Sequence, residues 1–214
     1  ERLEAIAAEV GGGHVIVADL EAPGAAARLL GEVDALGLHI DTLINNAGFG
    51  LAGRFAALDA ERQSAMIDLN VRLLTELCRL TLPGMVERKR GAILNVASTA
   101  AFQAGPNMAV YYATKAFVLS LTEALHQEMK GKGVKVTALC PGPTLTEFFD
   151  VAGAANSRLA KMGADAGSVV RAGLRGLDRN RAIVIPGVTN RIGAQASRVL
   201  PRAAMRRIIA AIKV

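Results

Sequence analysis

Short apolar runs at residues 14–18, 42–45, 92–97, 135–140 and 182–186 recur between longer stretches of helical periodicity, and this alternation most limits the folds open to the chain. A strand with one wet face alternates apolar and polar residues. These runs are too continuously apolar for that, so they read as strands buried on both faces, which requires a parallel sheet with helices on each side. The intervening stretches 24–36, 59–70 running on into 71–88, 110–130 and 166–177 carry the helical pattern. The prediction is an α/β doubly wound parallel sheet. With 214 residues and 51% hydrophobic content, the chain can bury a sizeable core as one domain. There is no internal repeat or low-complexity linker. The segment 144–163, small and polar around Phe148 and Phe149, is the least regular and a candidate mobile lid.

Ligands of open α/β sheets bind at the carboxyl ends of the strands, so the residues just after each run are read for chemistry. They are Asp19 after the first, Asn45-Asn46-Ala47-Gly48 after the second, Ser98 after the third and Pro141-Gly142-Pro143-Thr144 after the fourth. Asp19 either binds a ligand or caps the helix that starts near Pro23. Asn45 and Asn46 satisfy strand-end backbone in an ordinary turn or meet a ligand, to which Gly48 would allow close backbone approach. The residues alone leave both choices open.

Ser98 is followed thirteen positions later by Tyr111, and Tyr111 by Lys115 four positions on, within the predicted helix 110–130. The i to i+4 spacing puts phenol and ammonium on one helical face. A free phenol has a pKa of about 10. A neighbouring cation favours the phenolate and lowers that value, which is what general acid–base catalysis near neutrality needs. The Ser98 hydroxyl, arriving from a strand end, would hold a substrate oxygen beside the phenol. Phe102, Met108, Pro143, Leu145, Phe148 and Phe149 are candidates for an apolar pocket around it, each equally able to be a core residue. Arg158 and Lys161 are the only cations in those loops that suggest a carboxylate clamp.

Asp19-Leu20, Asn45-Asn46-Ala47-Gly48, Asn70, Ser98, Tyr111-x-x-x-Lys115 and Pro141-Gly142 stand in an order and spacing that resemble the short-chain dehydrogenase/reductase family. The resemblance runs to about Pro186 and weakens beyond. It implies a Rossmann-like, NAD(P)-binding domain over 1–214 with a basic amphipathic helical extension at 189–214. It also implies an oxidoreductase acting on a CH–OH/C=O pair of an apolar small molecule. Tyr111 would be the general acid/base, Lys115 would lower its pKa and bind the nicotinamide ribose, and Ser98 would position the substrate oxygen. Asn70 would hold a proton-relay water; read alone, it is as well a residue that interrupts or caps a helix. Asp19, Leu20, Asn46, Ala47, Gly48, Tyr111, Lys115, Pro141, Gly142, Thr144 and Thr146 would bind the cofactor, NADP or NAD, with NADP favoured. Small and apolar residues on several faces of 59–88 and 110–130 fit the homodimer or homotetramer usual in the family. Tyr112 falls out of register and reads as a packing residue.

One departure from the family is large: the glycine-rich turn between first strand and first helix, which offers backbone N–H groups to a pyrophosphate, is absent. Gly11-Gly12-Gly13 precede a strand, whereas such a loop must follow one. The expectation is a longer parent enzyme lacking its first βαβ portion here; the rival is a catalytically silent binding or regulatory module of the same fold.

The remaining composition excludes more than it assigns. Cys78 and Cys140 make no disulfide framework and read as reduced core residues. His14, His39 and His126 show no metal-ligand spacing. No apolar run approaches the roughly 20 residues of a membrane span, and no signal peptide opens the chain, so the expected compartment is cytoplasmic. The chain carries 25 basic against 19 acidic residues, a net +6, and Arg191, Arg198, Arg202, Arg206, Arg207 and Lys213 cluster near its C-terminus. A solvated helical face is the favoured reading of that cluster, ahead of nucleic-acid or membrane-surface contact.

Overall fold

The computed structural model describes residues 2–211 apart from 156, 158, 159, 161 and 162. Among them, strands Thr42–Asn45 (β1), Gly91–Val96 (β2), Val134–Leu139 (β3) and Ile183–Val184 (β4) pair in parallel in the order β1-β2-β3-β4. The helices are Arg2–Glu9 (α1), Ala25–Ala35 (α2), Ala60–Ile67 (α3), Leu74–Glu87 (α4), Ala109–Glu128 (α5), Phe148–Val151 (α6), Ala166–Asp178 (α7), Val188–Val199 (α8) and Arg202–Ala211 (α9). The fold is the doubly wound α/β class that the alternation predicted.

Strand alternation explains how two layers of helix cover one sheet. Ile93, Val136 and Ala138 face α4 and α5, where they meet Leu74, Cys78, Met85, Val118 and Leu119. Their neighbours Leu94 and Leu139 point the other way, onto Val169 and Leu177 of α7. Ile93, Val136, Met85 and Val118 have no exposed surface, and each such burial contributes about 1.5–3 kcal/mol. On the outer flank, Ala25 and Ala26 of α2 pack on Leu73 and Leu77. Asp59 caps α3 by accepting from the Arg62 N–H at 2.7 Å, the expected exchange at a helix start.

The run 14–18 is a correction, because it forms no strand. A strand exists only as part of a ladder. β1 pairs with β2 alone, no described strand lies along its other edge, and Val17 is left 82% exposed. For the same reason β1 is not buried on both faces: Ile44 is 50% exposed. The candidate lid is tied at its base, with Leu145 N donating to Ala164 O and Ala164 N to Pro143 O, both at 2.9 Å. Arg158 and Lys161 lie outside the described residues. Among the described residues of the C-terminal extension, only Ala194 of α8 and Met205 of α9 are buried.

A polar chain crosses the otherwise apolar core. Asn45 Nδ2 donates to Asn95 Oδ1 at 2.8 Å, Asn95 Nδ2 to Thr122 Oγ1 at 3.0 Å, and Thr122 Oγ1 to Val118 O at 2.6 Å. Asn95 and Thr122 are wholly buried, so every broken link strands a group away from water. Asn95→Ala leaves the Asn45 amide and the Thr122 hydroxyl short of a partner, and a loss of about 2–3 kcal/mol is expected. The measurement is the urea midpoint at unchanged m-value.

Candidate active site

The carboxyl ends of β1, β2 and β3 share one edge because the strands are parallel and in register, Asn45 opposite Asn95 and Val96 opposite Leu139. Past that edge, Ala97 N donates to Leu139 O and Thr99 N to Pro141 O, each at 2.8 Å. Ser98 is thereby held extended beside the end of β3, its hydroxyl accepting from the Ala100 N–H at 3.1 Å. Helix α5 returns across this edge and delivers Tyr111 and Lys115 one turn apart, both buried, at 9% and 7% exposure.

Lys115 reaches under the phenol ring, its Nζ 5.8 Å from the ring centroid, and donates to Val96 O at 2.8 Å. Burial pulls the Lys115 ammonium down to about 8 and pushes the Tyr111 phenol up to about 12, although a hydrogen bond with the Ser98 side chain draws the phenol part of the way back. This corrects the expectation of a lowered phenol in the chain alone. The ammonium is bonded to a strand-end carbonyl beneath the ring, and desolvation outweighs what it does for the hydroxyl. Cys140, fully buried close by, is pushed up to about 12 for the same reason.

Asn70 sits in a widened, π-helical turn, Asp68–Leu73, between α3 and α4. Such turns re-aim a side chain inside an otherwise regular helix. Its Oδ1 accepts from the Phe49 N–H at 3.1 Å, and its Nδ2 donates to Phe49 O at 2.9 Å and to Thr114 Oγ1 at 3.1 Å. The amide therefore clamps the backbone after β1 to α5. Gly48 is required there, because a Cβ would lie 2.7 Å from Asn70 Oδ1 and 3.7 Å from Lys115 Nζ.

Of the pocket candidates, Met108 and Phe148 gather on Tyr111, with the Phe148 and Tyr111 rings 5.2 Å apart. Gly50 permits this crowding, since a Cβ there would meet Phe148 at 2.8 Å and Met108 at 3.1 Å. Phe149 stands edge-on to Phe148 at 5.5 Å, Phe102 packs on the main core, and Leu145 is 57% exposed. Pro143 is occupied at the lid base. Tyr112 lies T-shaped to Tyr111 at 6.1 Å, a packing position.

The outer candidates are placed more simply. Asp19 accepts from the Glu21 N–H at 3.0 Å in a local turn; α2 itself begins at Gly24 without a side-chain cap. Leu20 joins the α2–α4 cluster. Thr144 Oγ1 donates to Gly142 O at 3.0 Å, and Thr146 Oγ1 accepts from the Phe148 N–H at 3.3 Å. Three residues escaped the sequence reading. Thr114 bridges Asn70 to α5, and its position at i+3 from Tyr111 was the available signal. Gly50 is a second glycine in Gly48-Phe49-Gly50. Asn190 of α8 covers Gly142, where a Cβ would lie 2.5 Å from its Oδ1, and donates to Pro186 O at 2.7 Å; nothing local in the sequence marks it.

A family model described as short chain dehydrogenase matches residues 1–156. The NADP-dependent 3-hydroxy acid dehydrogenase YdfG of Escherichia coli (strain K12) is 40% identical over 157 residues, 71% of this chain and 62% of that protein. The very-long-chain 3-oxoacyl-CoA reductase of Bos taurus is 39% identical over 119 residues, 54% of this chain and 38% of that one. Among solved structures, a short-chain dehydrogenase from Sphingobium yanoikuyae in complex with NADPH superposes with a TM-score of 0.79 at 32% identity, over 95% of this chain and 81% of its own. A 7beta-hydroxysteroid dehydrogenase gives 0.85 at 25% identity, over 98% and 82%. The chain spans about half the length of the curated relatives it matches, 45% for two uncharacterized staphylococcal oxidoreductases.

The buried amine has a consequence for stability. Its folded value of about 8 lies below the ordinary 10.5, so above about pH 8 the unfolded chain holds a proton that the folded one releases, and stability rises with pH. Cys78 and Cys140, raised from an ordinary 9.0 to about 11 and about 12, oppose this from about pH 9 upward. Between about pH 8 and 9, Lys115→Met should therefore lose a rise of up to about 1.4 kcal/mol per pH unit that the parent shows. Urea unfolding of both proteins across that interval reads the difference.

Proposed function

The chain belongs to the short-chain dehydrogenase family, and on that premise we propose an NAD(P)-dependent oxidoreductase that interconverts a carbonyl and an alcohol on an apolar small molecule. The burial of Tyr111 and Lys115 beside the half-buried Ser98 at the carboxyl edge of β2 and β3 carries this reading. A silent module of the same fold has no need to bury an ammonium beneath a phenol, at the cost of its desolvation.

In reduction, the Tyr111 hydroxyl passes its proton to the substrate oxygen while the Ser98 hydroxyl, freed from one neighbour, donates to the same oxygen. The phenolate left behind is stabilised by the Lys115 ammonium, which retains donor protons beyond the one given to Val96 O. Asn70 acts through others: it fixes the Gly48–Phe49 backbone against Thr114 and so holds the floor of the site. Met108 and Phe148 exclude water around the phenol and favour an apolar substrate body. At neutrality Tyr111 carries its proton, and its shift toward 12 makes it a weaker acid than a free phenol, so proton transfer in reduction depends on the Lys115 ammonium stabilising the phenolate.

The residues present fit the nicotinamide-ribose half of a dinucleotide. Lys115, the Asn46-Ala47-Gly48 backbone and the Pro141-Gly142 turn with Thr144 and Thr146 are the residues that would hold it, and a Cβ at 48 would lie 3.7 Å from Lys115 Nζ. When bound, the nicotinamide supplies or accepts the hydride. Asp19 and Leu20 remain candidates for the adenosine side. NADP is favoured by the NADP-dependent relative and the NADPH-bound structure. Those relatives named for 3-hydroxy acids and 3-oxoacyl-CoA make a 3-oxo or 3-hydroxy acyl group the first substrate class to try.

Assay of the full-length natural protein with NADPH and NADH against 3-oxoacyl thioesters and apolar ketones tests the proposal. Tyr111→Phe should lower kcat by about 10²–10⁴-fold while NADPH still binds, followed by its fluorescence. Equal turnover by parent and variant would reject the role. Reduction by the parent should also decline above about pH 8 as Lys115 loses its charge, and a flat profile to pH 9 would count against that amine.

A further inference from the structure

The net positive charge of this protein arises from its last 36 residues. After Asp178, residues 179–214 hold eight arginines and lysines and no aspartate or glutamate, while the 178 residues before carry seventeen basic against nineteen acidic side chains. Of these, Arg179 and Arg181 precede β4, while Arg191, Arg198, Arg202, Arg206 and Arg207 lie on α8 and α9, which follow it.

The same helices expose apolar surface. Val188, Ile192 and Val199 are 71%, 64% and 84% exposed, and with Ala196 they recur at helical spacing along one side of α8. Ile208 of α9 and Leu200 between the helices add 48% and 40% exposed surface. The inner side of α8 is accounted for: Ala194 is buried, Asn190 lies on Gly142, and Arg191 Nε donates to Ile185 O at 3.0 Å. The stripe is thus the outward face of a helix already docked by its other side. A long apolar row flanked by Arg191 and Arg198, without a carboxylate in either helix, is the pattern of a helix lying in a lipid–water interface.

We propose that α8 and α9 dock the protein on an anionic bilayer surface, the stripe Val188–Ile192–Val199 entering the headgroup boundary and the arginines meeting lipid phosphates. Charge complementarity decides for this occupant. A second copy would bring an equally cationic face against the first, and like charges so placed repel. A nucleic acid would use the arginines but leave the apolar row in water. Each arginine near such a surface adds a modest attraction, and the set together with the apolar row makes reversible, salt-sensitive binding.

Sedimentation of the full-length protein with vesicles tests this, using phosphatidylcholine alone and phosphatidylcholine with phosphatidylglycerol. Binding is expected to the anionic vesicles and not to the neutral ones, weakening as salt is raised. Ile192→Asn with Val199→Asn should reduce partitioning about tenfold, and Arg198→Glu with Arg206→Glu by at least as much. Both pairs are on exposed positions, so circular dichroism should match the parent. Absence from the anionic pellet overturns the proposal, as does equal binding by parent and variants. So does retention on heparin or duplex DNA that depends on the arginines alone without vesicle binding, or a dimer abolished by the apolar pair in protein that ignores vesicles.

Discussion

A single hydrogen bond from a buried amine, Lys115 Nζ to Val96 O at 2.8 Å, ties the candidate site to the fold. It joins α5 to the last carbonyl of β2 and makes an ammonium tolerable where 7% of the residue is exposed. An uncompensated charge there would be expelled or neutralised. Because β2 is the strand from which Ser98 emerges, the same bond sets the distance between hydroxyl and phenol. Thr114, Asn70 and Gly48 then extend the connection to the end of β1, so that two strand ends are held by polar contacts to one helix.

How much of this was legible from residues depended on whether the signal was periodic or local. β2, β3, α5 and α7 follow from predominantly apolar runs and the 3.6-residue period, and their ends shift by only a residue or two. The i to i+4 pairing of Tyr111 and Lys115 is a local fact, as is the place of Ser98 at a strand end. The run 14–18 had the composition of a strand but no neighbour to complete a ladder, and composition does not report neighbours. The direction of the phenol's shift was hidden for a related reason: spacing shows an amine nearby, whereas burial, which decides the sign, is a property of the packed whole.

The polar side chains that organise the interior were the hardest to read. Asn95 looks like an interruption in Ala92-Ile93-Leu94-Asn95-Val96, yet it is wholly buried and links Asn45 to Thr122. Asn70 resembles a helix breaker, and in a sense it is one, since the widened turn around it directs the amide onto Phe49. Each acquires meaning only from partners 21 to 50 positions away. Phe148 belongs with them: its small and polar surroundings suggested a loop, and its ring is what closes over Tyr111.

The contact between Asn190 and Gly142 couples two regions that would otherwise vary independently. The glycine's missing side chain leaves a socket filled by Asn190 in the first turn of α8, so the loop after β3 and the start of the C-terminal helices are packed against each other. A side chain at position 142 would meet Asn190 Oδ1 at 2.5 Å and Nδ2 at 2.6 Å, so a bulkier residue there forces the first turn of α8 away from the loop after β3.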